Sequence, residues 1–430
     1  MISADALCRQ RADNFFFNGL LLYTIIYYSQ LGSRIPFLGA IRIEMVIGTT
    51  ILIPALFRFF KDITHNEEEK SILYPVYFFF AASLISIPTT VAGYHTISAL
   101  INLCKSFAIF IMINAAIRSE KQLRIFVYVF LAMHAFIIVE PFILSSYGSV
   151  LRSRSFGSIR LGAVTGLFAH PNALGALSTG ILPVIYFLFR YERSILVRLM
   201  IVALSLVTLK VITLTESRTA LVATLGFIFY LWITSRKKLV FAVLVVIALP
   251  IAWSCLDPMT KDRYLSLLDA DEVILGREIR DETGEAVSRG SMQKRYQIVK
   301  DGLTLFLQRP ITGFGIGGYQ IARIERLGRY QVAHNAYVQC LSEVGIFGFI
   351  PWSLILINTF GLLSKPRRIL AQHSTVDGYR FINEMSYAFQ GYLVVHLLVA
   401  MFGHNPYGNY WWIPAAVSLV LIKLLKRRIT

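Results

Sequence analysis

The residues best suited to proton transfer are His334 and Asn335, in the stretch VAHNAYVQCLSEVGIFGFI at 332–350. A histidine just ahead of an apolar helix is reachable by solvent, and its ordinary pKa near neutrality suits a general base. An interfacial anchor or cap is the alternative role for His334. Glu343, nine residues further on, falls about two and a half turns into that helix. A carboxylate buried there needs a partner, and an arginine is the expected one.

Arginines supply the second kind of chemistry. The segment TLTESRTA, 213–220, interrupts two apolar runs and leaves Glu216 and Arg218 at their edge. The planar fork of a guanidinium matches phosphate oxygens bidentately, although a local ion pair with Glu216 is a second reading. The segment YGSVLRSRSFGSIRLGAVTGLFAH, 147–170, carries Arg152, Arg154 and Arg160 and no acid, so it calls for an anionic partner. At the end of that segment His170 and Asn172 stand at the start of an apolar run, placed either to cap it or to touch a ligand, while Gly175 and Ala176 allow close helix packing.

Two other patterns lead away from cofactors. The run GFGIGG at 313–318 resembles a dinucleotide fingerprint, yet no strand precedes it. A turn that lets backbone approach a neighbouring helix or ligand accounts for it better. His95, His134, His396 and His404 show no i, i+4 pairing, and the four cysteines form no ligand spacing. Neither a metal site nor a bound cofactor is expected.

The elements that position these groups follow from composition. With 56% hydrophobic and only 16% charged residues, the chain lies outside the balance of soluble domains and reads as an all-α, polytopic membrane helix bundle. A spanning helix needs about 20 apolar residues. Such stretches occur at 14–31, 37–57, 72–92, 96–117, 125–146, 172–189, 199–215, 219–235, 239–256, 339–363, 382–402 and 410–425. About twelve spans result, divided as a bundle at 1–256, one large extracytoplasmic loop at 257–338 and a second bundle at 339–430. The first run lacks a signal-peptide cleavage site and reads as a retained helix.

Charge orients the bundle. The formal charge of +17 suggests nucleic acid at first sight, but the bases cluster at the ends of apolar runs, as topology signals do. Nucleic acid is therefore not an expected partner. With the start inside, Arg58/Lys61, Arg118/Lys121/Arg124, Arg190/Arg193/Arg198, Arg236/Lys237/Lys238, Lys365/Arg367/Arg368 and Lys426/Arg427/Arg428 all fall on the inner side. Glu67, Glu68 and Glu69 read as a solvated inner loop. The long outer loop, at about eighty residues, exceeds an ordinary connector. Its stretch 290–309 spaces Met292, Tyr296, Val299, Leu303 and Phe306 as the apolar face of an amphipathic helix that stops at Pro310.

In this order, GLFAHPNALG, TESRTA, RYQIVKDGLTLFLQRPITGFGIGGY and HNAYVQCLSEVGIFG make residues 150–350 resemble the O-antigen ligase and polymerase family of bacterial envelope proteins. The resemblance implies a multi-pass inner-membrane glycosyltransferase whose site faces the periplasm. It would take a glycan from an undecaprenyl-diphosphate carrier and pass it to an acceptor: the lipid A core in a ligase, another carrier-linked repeat in a polymerase. The family's loop histidine corresponds to His334, its turn arginine to Arg218 and its loop arginine to Arg295, with Arg289 as an alternative. Asn335 and Tyr337 complete the HN-x-Y pattern. The expected mechanism has Arg218 and Arg295, helped by Arg160, Arg152 or Arg154, stabilising the departing diphosphate, and His334 deprotonating the acceptor. Direct attack would invert the anomeric carbon without a covalent intermediate, and guanidinium charge would replace a metal ion. A transporter or flippase for an anionic lipid or polysaccharide is the alternative from another class. The basic outer segment at 147–163 favours an anionic acceptor, hence a ligase.

Overall fold

The computed structural model describes residues 4–64, 66–147, 152–155, 158–265, 290–371, 379–403 and 405–429. Arg289, His404 and residues 266–289 of the long loop lie outside them.

Helix α1 (Ala4–Ser29) ends where Gln30 turns left-handed. Two short helices follow, α2 (Leu31–Arg34) and α3 (Pro36–Ala40), before α4 (Ile43–Asp62). The second expected span is thereby displaced towards the C-terminus. Helices α5 (Glu67–Ile85), α6 (Gly93–Ala116) and α7 (Glu120–Ser146) come next. Their starts are encoded locally: Asn66 caps α5, and a Ser119/Gln122 capping box opens α7. Strands β1 (Arg152–Ser155) and β2 (Ser158–Leu161) form an antiparallel hairpin that the all-α expectation does not contain.

After the hairpin come α8 (Pro171–Tyr191), α9 (Ile195–Leu214), α10 (Arg218–Thr234) and α11 (Lys238–Ser254). The long loop contributes α12 (Pro258–Leu265), α13 (Gly290–Gln308) and α14 (Tyr319–Leu327). The chain finishes with α15 (Ala336–Leu370), α16 (Arg380–Ala400) and α17 (Asn409–Ile429). Among the described residues seven helices are long and apolar enough to cross a membrane: α4 to α9 and α15, while α10 and α11 are apolar but shorter. The architecture is thus a multi-pass helix bundle with one small hairpin.

Helix α16 lies at the centre, packed on α8, α10, α15 and α17; α17 in turn covers α6, and α15 covers α5. The expected inner-side bases gather at one end of this bundle. Arg58 pairs with Asp13, Arg118 with Asp62, Arg124 and Arg428 with Glu120 at 3.1 and 3.0 Å, and Arg190 with Glu384 at 3.5 Å. The acidic triplet differs from its sequence reading: Glu68 and Glu69 are buried, Glu68 held by Lys365 and Lys426 at 2.5 and 2.9 Å and Glu69 by Lys423 at 2.8 Å. Basic helix ends from distant parts of the chain close over the two carboxylates, so they cannot be solvated.

The long loop has its own small core of Ile298, Leu305, Phe314, Tyr319, Ala322 and Ala333. Beside it Asp301, nearly fully buried, accepts from Arg323 at 2.9 Å, Gln297 at 2.6 Å and Arg329 at 3.1 Å. Burial alone would raise its pKa, but the hydrogen bonds from Gln297 and Arg323 and the two nearby guanidiniums hold it below the usual aspartate value.

Candidate active site

The chain enters the site through the β hairpin. Its register sets Arg160 opposite Ser153, and Arg152 and Arg154 opposite Leu161 and Ile159. Arg160 is buried; its Nε donates to the carbonyl of Thr215 at 2.8 Å and its Nη2 to the Oδ1 of Asn172 at 2.6 Å. His170 is the N-cap of α8, and its Nδ1 accepts from the backbone of Asn172 at 3.1 Å. Of the two candidate roles His170 takes the capping one, while Asn172 holds an arginine.

Thr215 and Glu216 form the turn between α9 and α10. Glu216 takes a positive φ of 46°, Ser217 caps α10, and Arg218 is the first helical residue, buried. The turn carries a residue that sequence reasoning missed: Arg263 of α12 donates its Nε to the carbonyl of Glu216 at 2.9 Å. Arg295 of α13 completes the group. Arg160 lies within electrostatic reach of Arg263 and Arg218, Arg218 of Arg295 and Arg263, and Arg295 of Arg263. Glu216 is the acid that offsets Arg160 and Arg263.

Gathering like charges out of water has a measurable consequence. Burial first, and then repulsion from Arg263, pull the pKa of Arg160 down to about 10. The same two causes lower that of Arg295, and burial lowers that of Arg263, against the pull of Glu216. A bound anion would relieve all three, so the arrangement suits a polyanion such as a diphosphate.

The histidine arrives from a different direction. His334 has a positive φ of 46° and precedes Asn335, whose side chain caps α15 by accepting from the backbone of Tyr337 and Val338 at 3.1 and 3.0 Å. Asn335 also donates to the carbonyl of Met401 at 3.2 Å, and Tyr337 to that of Leu397 at 2.7 Å. These contacts dock the histidine turn on the end of α16. The Arg295 guanidinium sits over the ring of Phe402, 5.6 Å from its centroid. Residues 401 and 402 are therefore the shared support of the histidine turn and the arginine group.

The glycine run packs on α15 about two turns beyond the histidine. Gly313, Gly315 and Gly317 all have positive φ, and a Cβ on Gly313 would lie 2.4 Å from the carbonyl of Glu343. Opposite it, Gly345 breaks the regular geometry of α15 with φ 59° and ψ −164°. Backbone thus meets backbone: Phe314 donates to Ser342 at 2.9 Å and Ile346 to Pro310 at 2.8 Å. The run approaches a helix, as its turn reading allowed. Glu343 differs from expectation in having no arginine among its described partners. It accepts from Tyr407 at 2.6 Å, from Gln339 at 3.0 Å and from the backbone of Tyr319 at 3.3 Å. The glycine loop supplies backbone N–H groups where a guanidinium was expected.

Comparison with known proteins adds one finding. Residues 203–353, about a third of the chain, match the family model described as O-antigen ligase. The matched stretch includes Arg218, Arg263, Arg295 and His334 but not Arg160. No curated protein matches the chain.

Proposed function

From the match of residues 203–353 to the O-antigen ligase family model, we propose that the chain is a membrane glycosyltransferase of the O-antigen ligase/polymerase family and moves a glycan from undecaprenyl diphosphate to the lipid A core. The reaction takes place at the periplasmic face of the bacterial inner membrane, in a bundle of about twelve spans. The observation that carries this reading is the convergence of Arg160, Arg218, Arg263 and Arg295 beside the end of α16 on which the His334 turn docks.

In this mechanism the four guanidiniums hold the diphosphate and take up the charge that grows on it as the bond to the sugar breaks. His334 accepts the proton of the acceptor hydroxyl while its oxygen attacks the anomeric carbon from the opposite face. One glycosidic bond forms, the bond to the carrier phosphate breaks, and configuration inverts. Four clustered positive charges, two buried and two half-buried, do the charge-stabilising work otherwise given to a metal ion, so transfer proceeds without one. The segment that carries Arg152, Arg154 and Arg160 holds no acid, a net positive charge that suits an anionic acceptor. That charge favours the ligase over a polymerase.

The test is glycan transfer in membranes by wild type, His334→Ala and Arg218→Ala, at matched protein level, with core-linked and carrier-linked products resolved on gels. Loss of core-linked glycan in both variants supports the reading. Loss of long carrier-linked chains instead identifies a polymerase, and full transfer by His334→Ala removes that residue as the base.

A further inference from the structure

Helix α6 is a candidate span with mean hydropathy 1.9, packed on α17, α4 and α1. The glycine loop touches it at His95 and Ala99, and much of its remaining surface is exposed and carries a polar stripe. His95, Ser98, Asn102 and Lys105 are all exposed, and their steps of three, four and three align them in one stripe along the helix. Lys105 is the thirteenth of 24 residues, about 18 Å from one end of the helix and about 16 Å from the other at 1.5 Å per residue. A lysine stem, roughly 6 Å long, does not carry its ammonium to either water boundary from there.

A charge at that depth is tolerated when it faces protein or water rather than lipid tails. The stripe therefore needs a cover, and its chemistry says what kind. Glu44 lies on α4, the helix packed beside α6, and is electrostatically coupled to Lys105, yet no ion pair within 4 Å joins them among the described residues. One face thus presents an ammonium, a carboxylate and, between them in character, the amide of Asn102, which both donates and accepts. Exposed Ile97, Ile101, Met45 and Ile53 flank it with apolar surface. A surface with one charge of each sign is complementary to itself under a two-fold rotation, where residue i meets j and j meets i.

We propose that this α4/α6 face is the interface between two copies of the chain, with Lys105 of each copy reaching Glu44 of the other across a pair of Asn102 amides. The contact leaves catalysis accessible, because α6 is separated from α10, which begins at Arg218, by α17 and α16. An anionic lipid headgroup would satisfy Lys105 but would meet Glu44 unfavourably, which favours the protein partner.

Two measurements on the full chain in membranes decide it. In a background with Cys8, Cys104 and Cys255 changed to Ser, Ser98→Cys should give a disulfide-linked dimer on mild oxidation. Leu244→Cys, exposed on the distant α11, should give none. The second uses two tagged forms, Lys105→Glu and Glu44→Lys. Each alone places like charges across the interface and should reduce co-capture at least fivefold. Mixing the two forms restores both intermolecular pairs but neither intramolecular attraction, and should return co-capture towards the wild-type level. A monomer in both measurements, or a mixture no better than the single forms, overturns the proposal and leaves lipid as the cover.

Discussion

Arg263 donates its Nε to the backbone carbonyl of Glu216 at 2.9 Å, tying the long loop to the turn that presents Arg218. Replacing Arg263 by Ala should lower transfer by about 100-fold, the scale seen when one charge-stabilising donor is lost, with normal membrane levels. Arg263→Lys should recover a small part, since an ammonium keeps the charge but not the fork. Unchanged turnover in Arg263→Ala would remove it from the site.

Arg160 offers a pH test. Its pKa is pulled down to about 10 by burial and by Arg263, so the surroundings favour the uncharged form. A lysine there starts from a lower reference value, about 10.4, and is displaced in the same direction. It loses its proton as pH rises through the mildly alkaline range, where arginine keeps its own. Transfer by Arg160→Lys should therefore decline with rising pH while wild type stays flat. Superimposable pH profiles would contradict the burial argument.

The carboxylate of Glu343 is fixed by Tyr407, Gln339 and backbone N–H groups of the glycine loop, and removing one donor should be felt in stability. Tyr407→Phe should lower unfolding stability by about 1–3 kcal/mol, the cost of leaving a buried acceptor short of a partner. Glu343→Gln with Tyr407→Phe should cost less than the sum of the two single changes, measured by thermal unfolding in detergent. Strict additivity would mean the 2.6 Å bond carries no coupling.

The glycines make a graded series. Gly328 has φ +66° with nothing within 4 Å of an added Cβ, whereas a Cβ on Gly313 or Gly345 would meet backbone at 2.4 or 2.2 Å. Gly328→Ala should cost about 1 kcal/mol, the strain of a left-handed alanine alone. Gly313→Ala and Gly345→Ala should cost more and also lower transfer, because they push the loop away from the helix that begins at the His334 turn. Equal effects at all three positions would refute the close-approach account.

The parts legible in the sequence are those written in local pattern. Bases at the ends of apolar runs, the apolar runs themselves, the helix ending near Pro310 and the cap at His170 depend on neighbours in the chain; the cap considered for His334 falls instead to Asn335. Arg263 was hidden because the loop around it mixes acids and bases into near neutrality, and its role depends on a contact 47 residues away. Glu343 suggested an arginine because side-chain charge is visible in a sequence, whereas the backbone N–H groups that a positive-φ glycine loop aims at it are not. Burial of Glu68 and Glu69 depends on lysines from the last third of the chain. The hairpin at Arg152–Leu161 has only four residues per strand, too short for alternation to stand out.

The distribution of the arginine group along the chain also bears on biogenesis. Arg160 and Arg218 emerge from the ribosome well before Arg263 and Arg295, and the support at Met401 and Phe402 comes last of all. A nascent chain with most of its helices already threaded therefore holds scattered cations and no cage for them. On the proposed mechanism, a chain truncated before α16 is complete would lack the support of both the His334 turn and Arg295 and should be inactive.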